Sequence, residues 1–199
     1  MKINPDVIKN LLGKLEETGF IPKSITCDQH GTNRSLYKKL GFTPNKPYIY
    51  SPNCPDRKIF GIFDIIHVLK NLVNGLMDRA ALLPDGHFVS KEDWEELLPL
   101  INTEISPGFR LTQRQLDAKG SARMDVSRAV TIMSHHVSAC FKKFFPNDPA
   151  KLSISKFIKN TALMLQTLQS RVISHKKDRN KCAFRYVVVF IFFFESFAN

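Results

Sequence analysis

Residues 24–33 read Ser-Ile-Thr-Cys-Asp-Gln-His-Gly-Thr-Asn and join a β-prone run to a turn at Asp28. β-branched side chains suit a pleated surface, so residues 20–27 are predicted to form a buried strand that ends at this aspartate. After the turn, Asn33 is predicted to cap a short helix over residues 34–40, which Gly41 ends. A carboxylate at a strand end can ligate Mg²⁺ or can cap the following turn through its own side chain. Both interpretations stay open.

A second β-prone run, residues 58–63, also stops at an aspartate, Asp64, and passes directly into a helical pattern. Strands whose carboxyl ends carry acidic residues, with a helix between them, are typical of an open α/β sheet with a site at that edge. Residues three and four apart share a helix face, so Asp64, His67 and Lys70 or Asn71 are predicted to lie near one another. The alternative is that Asp64 is only the helix N-cap.

Ahead of these runs, Asn4 and Pro5 predict a helix start, and apolar residues at helical spacing continue to Gly19. After Met77 the strand patterns disappear and helices dominate to about residue 170. A capping box at residues 90–93 predicts one helix. Ser121 is predicted to open a long helix with an inward stripe, and Ser153 to cap a third. The stripe comprises Met124, Val130, Met133, Val137 and Phe141 or Phe144.

Charge and cysteine usage limit the class of protein. The 199 residues carry a formal net charge of +11, which favours polyanionic partners, although an ordinary basic domain has the same sign. The four cysteines form no Cys-x-x-Cys pair and no secretory signal is evident, so a reducing compartment, cytoplasm or nucleus, is expected. His136 and Cys140 share a helix face, but no third metal ligand is nearby. No Walker phosphate loop and no Gly-x-Ser-x-Gly elbow occur.

Residues 175–199 are basic and then almost wholly apolar. The run over residues 187–194 is shorter than the roughly 20 apolar residues of a membrane-spanning helix, so no convincing membrane segment is predicted. The tail is interpreted as sequence from outside the family, read past the end of a truncated gene. A sheet strand and a membrane tether are the alternatives.

The motifs together resemble the P-element and THAP-type DNA transposases. The likeness is carried by Gly19-Phe20, Thr26-Cys27-Asp28-Gln29, Asn33 and Leu40-Gly41, and by the block from Phe63 to Asn74 that contains Asp64, His67, Lys70 and Asn71. The later segments at residues 122–129 and 134–138 are similar to further blocks of the family. Within the Asp64 block the chain has Ile65-Ile66 where the family shows prolines or small residues.

The resemblance implies an α/β fold, namely a partial RNase H-like core over residues 1–66, then an incomplete helical GTP-binding-type insertion domain over residues 67–174. Three acidic residues hold Mg²⁺ ions in that family, and Asp28 matches the second of them. The first and third acids are expected to lie outside this sequence, as is the zinc-coordinating DNA-binding domain. The guanine-nucleotide contacts stay unassigned.

The expected protein is therefore a transposase fragment that is catalytically inactive alone, with Asp28 as a metal ligand only in principle. The alternative is an accessory module that binds GTP or DNA. Expected partners are DNA, a full-length transposase relative or a second copy of the chain.

Overall fold

A computed structural model of the chain describes residues 4–104 and 111–168. These residues form two compact units, the first ending at Val68 and the second beginning at Leu69. The interpretation of residues 175–199 as a tail lies outside the described residues. The identities of the predicted domains over residues 1–66 and 67–174 stay predictions.

The first unit is a small sheet with two helices packed against it. Its elements in chain order are α1 (Pro5–Glu17), β1 (Ser24–Cys27), α2 (Gly31–Leu40), β2 (Tyr48–Tyr50) and β3 (Lys58–Phe63). The strand order is β1-β3-β2, with β1 parallel and β2 antiparallel to β3. The parallel pair joined through a helix confirms the predicted α/β arrangement of the two aspartate-ended runs.

One face of this sheet packs on the helices. The core comprises side chains from both helices and from alternate strand positions, namely Leu12, Leu36, Tyr37, Leu40, Phe42, Ile49 and Ile59. Because successive strand side chains point to opposite faces, the residues between these positions lie on the other side of the sheet. This alternation places the strand ends at one edge of the sheet, and Tyr48, Tyr50 and Phe60 on the face away from the core cluster.

The prediction of a buried strand over residues 20–27 was wrong in length and in burial. β1 begins only at Ser24, where its pairing with Phe60 starts, and its burial alternates between exposed and half-buried. Phe20 and Ile21 are 67% and 55% exposed. Gly19, at a φ of +86°, ends the turn after α1, and Pro22 has no N–H to donate to a neighbouring strand.

The start of α2 was also misplaced. The N-cap of α2 is His30 rather than Asn33, so the helix begins three residues earlier than its predicted start at Arg34. The predicted end of α2 is confirmed, since Gly41 is a left-handed C-cap, and so is the predicted start of α1, which Asn4 caps. Only a narrow stripe of α1 is buried: Leu12 is in the core, but Val7 and Leu11 are more than half exposed.

The second unit is mainly helical. Helix α3 (Ile65–Asp78) begins in the first unit and leads into a two-stranded hairpin of β4 (Ala81–Leu82) and β5 (Phe88–Val89). The remaining helices are α4 (Lys91–Glu104), α5 (Gln113–Leu116), a 3-10 turn (Gly120–Met124), α6 (Val126–Ile132), α7 (His135–Phe144) and α8 (Pro149–Leu168). The hairpin was not predicted, because two-residue strands carry no detectable alternation.

Trp94 and Phe141 anchor the core of this unit, with ring centroids 5.8 Å apart at 88°. The apolar residues of α4, namely Trp94, Leu97, Leu98 and Ile101, are all buried.

The long helix predicted from Ser121 is instead broken. Ser134 caps a new helix by accepting a hydrogen bond from Val137 N at 3.3 Å, and Met124 and Val130 are 56% and 41% exposed. Likewise α8 starts at Pro149 after Asp148, whose carboxylate accepts from Ala150 N at 2.9 Å. Ser153 is therefore inside the helix and does not cap it. Local capping side chains outweighed the apolar periodicity in both places.

Among the described residues, no helix is both long enough and apolar enough to cross a bilayer.

Candidate functional site

Asp28 and Asp64 come to the same edge of the first unit's sheet. Cys27 pairs with Phe63 at the last position of the parallel ladder. The Asp64 N–H donates to the Cys27 carbonyl at 2.7 Å, so each aspartate is the first residue beyond its strand. The sequence-based expectation that the two strands deliver acids to one carboxyl edge is met in the structure.

The Asp28 carboxylate is held by the turn that follows it. Its Oδ1 accepts hydrogen bonds from His30 N at 2.9 Å and from Asn33 Nδ2 at 2.7 Å. The His30 N–H, then the Asn33 amide, lower the pKa of Asp28 below its usual range, and nearby His67 and His30 lower it further. The carboxylate is therefore charged and oriented through one of its two oxygens.

Asn33 contacts Asp28 instead of capping the helix, and His30 takes the capping role. Thr32 N lies 3.4 Å from His30 Nδ1, and Thr32 Oγ1 lies 2.9 Å from the same ring nitrogen. The pairing of Asn33 with Asp28 joins the predicted site aspartate to the predicted motif asparagine. Sequence reasoning placed both residues but assigned Asn33 the wrong role.

Asp64 caps α3, which is the alternative weighed from its sequence position. Its Oδ1 accepts from Ile66 N at 2.9 Å, while its Oδ2 lies 3.7 Å from His67 Nε2. The side chains of His67 and Asp64 are 39% and 42% exposed. Asp64 and His67 thus form a solvent-facing pair beside Asp28, as their spacing predicted.

Lys70 and Asn71 follow Val68 and belong to the second unit. Lys70 is buried, with 7% of its surface exposed, and Asn71 is exposed. Lys70 and Asn71 are therefore part of the helical unit, whereas Asp64 and His67 are part of the first unit.

Tyr37 is a positioning residue that the sequence reasoning missed. Its hydroxyl lies 2.7 Å from the Ile25 carbonyl oxygen on β1 and 3.0 Å from the Ile62 carbonyl oxygen on β3. Burial raises the pKa of Tyr37 far above its usual range, so the hydroxyl remains a donor. The signal in the sequence was its position one turn after Asn33, which places both side chains on one side of α2.

Cys27 lies directly before Asp28 and beside Tyr37. Burial raises the pKa of the Cys27 thiol, which outweighs the opposite effect of its hydrogen bond with Tyr37. A protonated, half-buried thiol is a poor nucleophile and a poor metal ligand. Cys27 therefore acts as packing beneath the strand ends.

The second unit brings two other motif segments together. Arg128 Nη1 donates to Asn74 Oδ1 at 2.9 Å, and Arg128 Nε donates to the Gln115 carbonyl at 2.5 Å. Arg128 is only 3% exposed, and desolvation lowers the pKa of its guanidinium. These contacts give Asn74 and Arg128 a structural role inside the helical unit.

The described residues do not fit a metal ion by themselves. Residues 4–104 and 111–168 contain no group of three or more His, Cys, Asp or Glu side chains that could hold one. Cys140 is buried while His136 is exposed, so this pair forms no such site within the same ranges.

Comparisons with known proteins identify one similar protein by sequence and by structure, while no family model matches the chain. The chain is 25% identical over 145 residues to the transposable element P transposase of Drosophila melanogaster, over 72% of this chain and 19% of that protein. It superposes on the solved Drosophila P element transposase strand transfer complex with a TM-score of 0.81 and 21% identity. That match covers 91% of this chain and 42% of that chain.

The chain is therefore homologous to part of P-element transposase and shares its fold over that part. It spans about a fifth of the length of the curated relative.

Proposed function

We propose that this chain is a transposase-derived polypeptide that has no DNA-cleaving or strand-joining activity on its own. The first unit would correspond to part of an RNase H-like core, and the helical unit to part of a GTP-binding-type insertion. The observation that supports a transposase origin is the meeting of Asp28 and Asp64 at adjacent strand ends in a chain homologous to P-element transposase.

Asp28 would serve as one metal ligand of a site completed by other carboxylates. Two Mg²⁺ ions can activate water and stabilise the leaving oxygen in phosphodiester cleavage. The hydrogen bonds from His30 and Asn33 orient Asp28 Oδ1 and hold the carboxylate ionised, which leaves a charged oxygen for a metal. Asp64 Oδ1 is already used to cap α3, so the described residues supply too few free carboxylates for two ions.

A nuclease assay tests the inactivity. Purified chain is incubated with duplex and single-stranded DNA in Mg²⁺ or Mn²⁺, beside Asp28→Ala and the control Asp56→Ala, which removes an exposed aspartate from a turn. We expect that neither the unmodified chain nor either variant cleaves DNA above background. Robust cleavage that Asp28→Ala abolishes and Asp56→Ala retains would contradict the proposal.

A second candidate is an accessory module that binds DNA, favoured by the net charge of +11. Long-range attraction to phosphates gives affinity that falls steeply with salt. Titration of labelled duplex DNA at two salt concentrations tests this candidate. GTP binding rests on the family resemblance alone, and titration with labelled GTP tests it separately.

A cellular role of this kind would place the chain in the nucleus, in association with a full-length transposase or a second copy. Light scattering of the purified chain, alone and mixed with a full-length transposase, measures both associations. A chain that stays monomeric in both samples would act alone.

A further inference from the structure

The face of the first unit's sheet that lies away from the core cluster carries three aromatic rings. Ile49 and Ile59 point into the core, so their strand neighbours Tyr48, Tyr50 and Phe60 lie on the opposite face. The ring centroid of Tyr48 lies 5.6 Å from that of Tyr50 and 6.0 Å from that of Phe60. Tyr50 is 47% exposed, and the other two rings are half-buried. Tyr50 is therefore the ring of this group that is most accessible from solvent.

Two lysines lie directly on these rings. Lys58 Nζ is 4.3 Å from the centroid of Tyr48, and Lys46 Nζ is 5.4 Å from that of Tyr50 and 5.9 Å from that of Tyr48. Both lysines are exposed. We call Tyr48, Tyr50, Phe60, Lys46 and Lys58 the aromatic-lysine face. Its charge is positive, and its rings meet edge to face, at interplanar angles of 79° for Tyr48 and Tyr50 and 64° for Tyr48 and Phe60.

A cleft of about 350 Å³ borders this face along β2. Its lining includes a third lysine, Lys9 of α1, together with Lys46 and Tyr50, which it shares with the face. Two ammonium groups beside a ring offer a place for an anionic group next to a stacking surface. Arg57 is already paired with Glu16 at 3.1 Å, so the cationic character of this edge comes from the lysines.

We propose that the aromatic-lysine face binds single-stranded nucleic acid. Bases stack on aromatic side chains regardless of their identity, while lysines follow the phosphate backbone. In a duplex the faces of internal bases are already stacked, so the rings would find no free partner. An apolar protein segment would instead bury the ammonium groups of Lys46 and Lys58 without partners, which is unfavourable. This inference does not depend on nuclease chemistry at Asp28.

Fluorescence anisotropy of the full chain with labelled 12-nucleotide oligo(dT), oligo(U) and a 12-base-pair duplex tests the proposal. We expect both single strands to bind more tightly than the duplex, and the two arms show whether deoxyribose or ribose is preferred. Tyr50→Leu keeps an apolar side chain without a π-face and should weaken single-strand binding by about tenfold. Tyr50→Phe should retain the affinity.

The lysines have a distinct signature in the salt dependence. Each phosphate contact contributes about 0.7 to the slope of log affinity against log salt for single strands, so Lys46→Ala with Lys58→Ala should reduce the slope by about 1.4. Lys38→Ala, which removes an exposed charge from α2, should leave the slope nearly unchanged. Tyr50→Leu should shift the affinity without changing the slope.

Three outcomes would overturn the proposal. The first is wild-type affinity in Tyr50→Leu, and the second is equal binding of duplex and single strand. The third is failure of Tyr50 to react with N-acetylimidazole in the free chain, which would mean that another part of the chain or a second copy covers the face. Salt-dependent duplex binding without any effect of Tyr50→Leu would leave the DNA-binding candidate standing and reject this surface.

Discussion

At the level of single residues, the site is organised by hydrogen bonds that the sequence pattern does not predict. Asp28 is held by the His30 N–H and the Asn33 amide, and Tyr37 joins α2 to two strand carbonyls. The aspartate could be predicted because a β-prone run stops at it. Its partners could not, because which side chains meet depends on the angle between the turn and α2.

Tyr37→Phe should destabilise the first unit by about 1–2 kcal/mol, since the hydrogen bonding of the buried Tyr37 hydroxyl to the half-buried Ile25 and Ile62 carbonyls would be lost. Urea unfolding followed by circular dichroism measures the change. Tyr50→Phe is the matched control. The Tyr50 side chain is 47% exposed, so removing its hydroxyl should change the free energy of unfolding by no more than about 0.5 kcal/mol. Equal effects of the two variants would show that the Tyr37 hydroxyl does not support the fold.

The lowered pKa of Asp28 predicts a pH dependence of stability. A carboxyl whose pKa is lower folded than unfolded stabilises the protein fully above the unfolded value of about 3.9. That contribution is lost as the pH falls through the lower, folded pKa. Asp28→Asn should therefore flatten the acid limb of the urea midpoint plotted against pH, whereas the control Asp56→Asn should preserve it. An unchanged acid limb in Asp28→Asn would contradict the prediction.

At the level of elements, close packing of β3 against the core depends on a missing side chain. A Cβ at Gly61 would lie 2.8 Å from the nearest Phe42 ring atom. The run over residues 58–63 indicates a strand, but nothing in it shows that Phe42 would approach its backbone. That contact comes from the turn after α2, which returns Phe42 to the sheet.

Gly61→Ala should lower the free energy of unfolding by about 1–3 kcal/mol, because the Phe42 ring must shift in a packed core. Gly31→Ala is the control: no atom lies within 4 Å of its added Cβ, and at the start of α2 it should be neutral or stabilising. Thermal unfolding of both variants measures the difference. Gly61→Ala with wild-type stability would mean that the core relaxes freely around Phe42.

In the helical unit, Lys151 of α8 links to α4. Its Nζ lies 2.7 Å from Asp93 Oδ1 and 2.5 Å from Glu96 Oε2. Burial alone would lower the pKa of Lys151, but hydrogen bonds to the two acids raise it overall. Charged residues on a helix usually face solvent, and this lysine, 8% exposed, is an exception that only helix packing reveals.

Lys151→Met should destabilise the helical unit by about 2 kcal/mol, since it leaves Asp93 partly buried without its cation. Lys142→Met, on the last turn of α7 and exposed, is the control and should change little. Unfolding monitored by Trp94 fluorescence reports on this unit. A loss of stability no larger than that of Lys142→Met would contradict a structural role for the contacts of Lys151 with Asp93 and Glu96.

At the level of the whole molecule, charge is the property that composition predicts most directly. The excess of 11 positive charges should make duplex DNA binding strongly salt-dependent. With about four phosphate contacts, raising salt from about 50 to about 200 mM should weaken affinity roughly 100-fold. Filter binding at the two concentrations measures this, with Lys38→Ala as a single-charge comparison. Affinity independent of salt would exclude backbone phosphates as the main contact.

The homology to P-element transposase agrees with the resemblance drawn from the motifs, whereas the RNase H-like, GTP-binding and inactive character of the chain stay predictions. Local sequence was sufficient for the β3 bounds, the Gly41 cap and the two aspartates at strand ends, because these follow from short-range backbone preferences. Packing was needed for the buried Arg128, the buried Lys151 and the aromatic-lysine face. Each of these depends on contacts between segments distant in sequence, whose energies exceed local propensity.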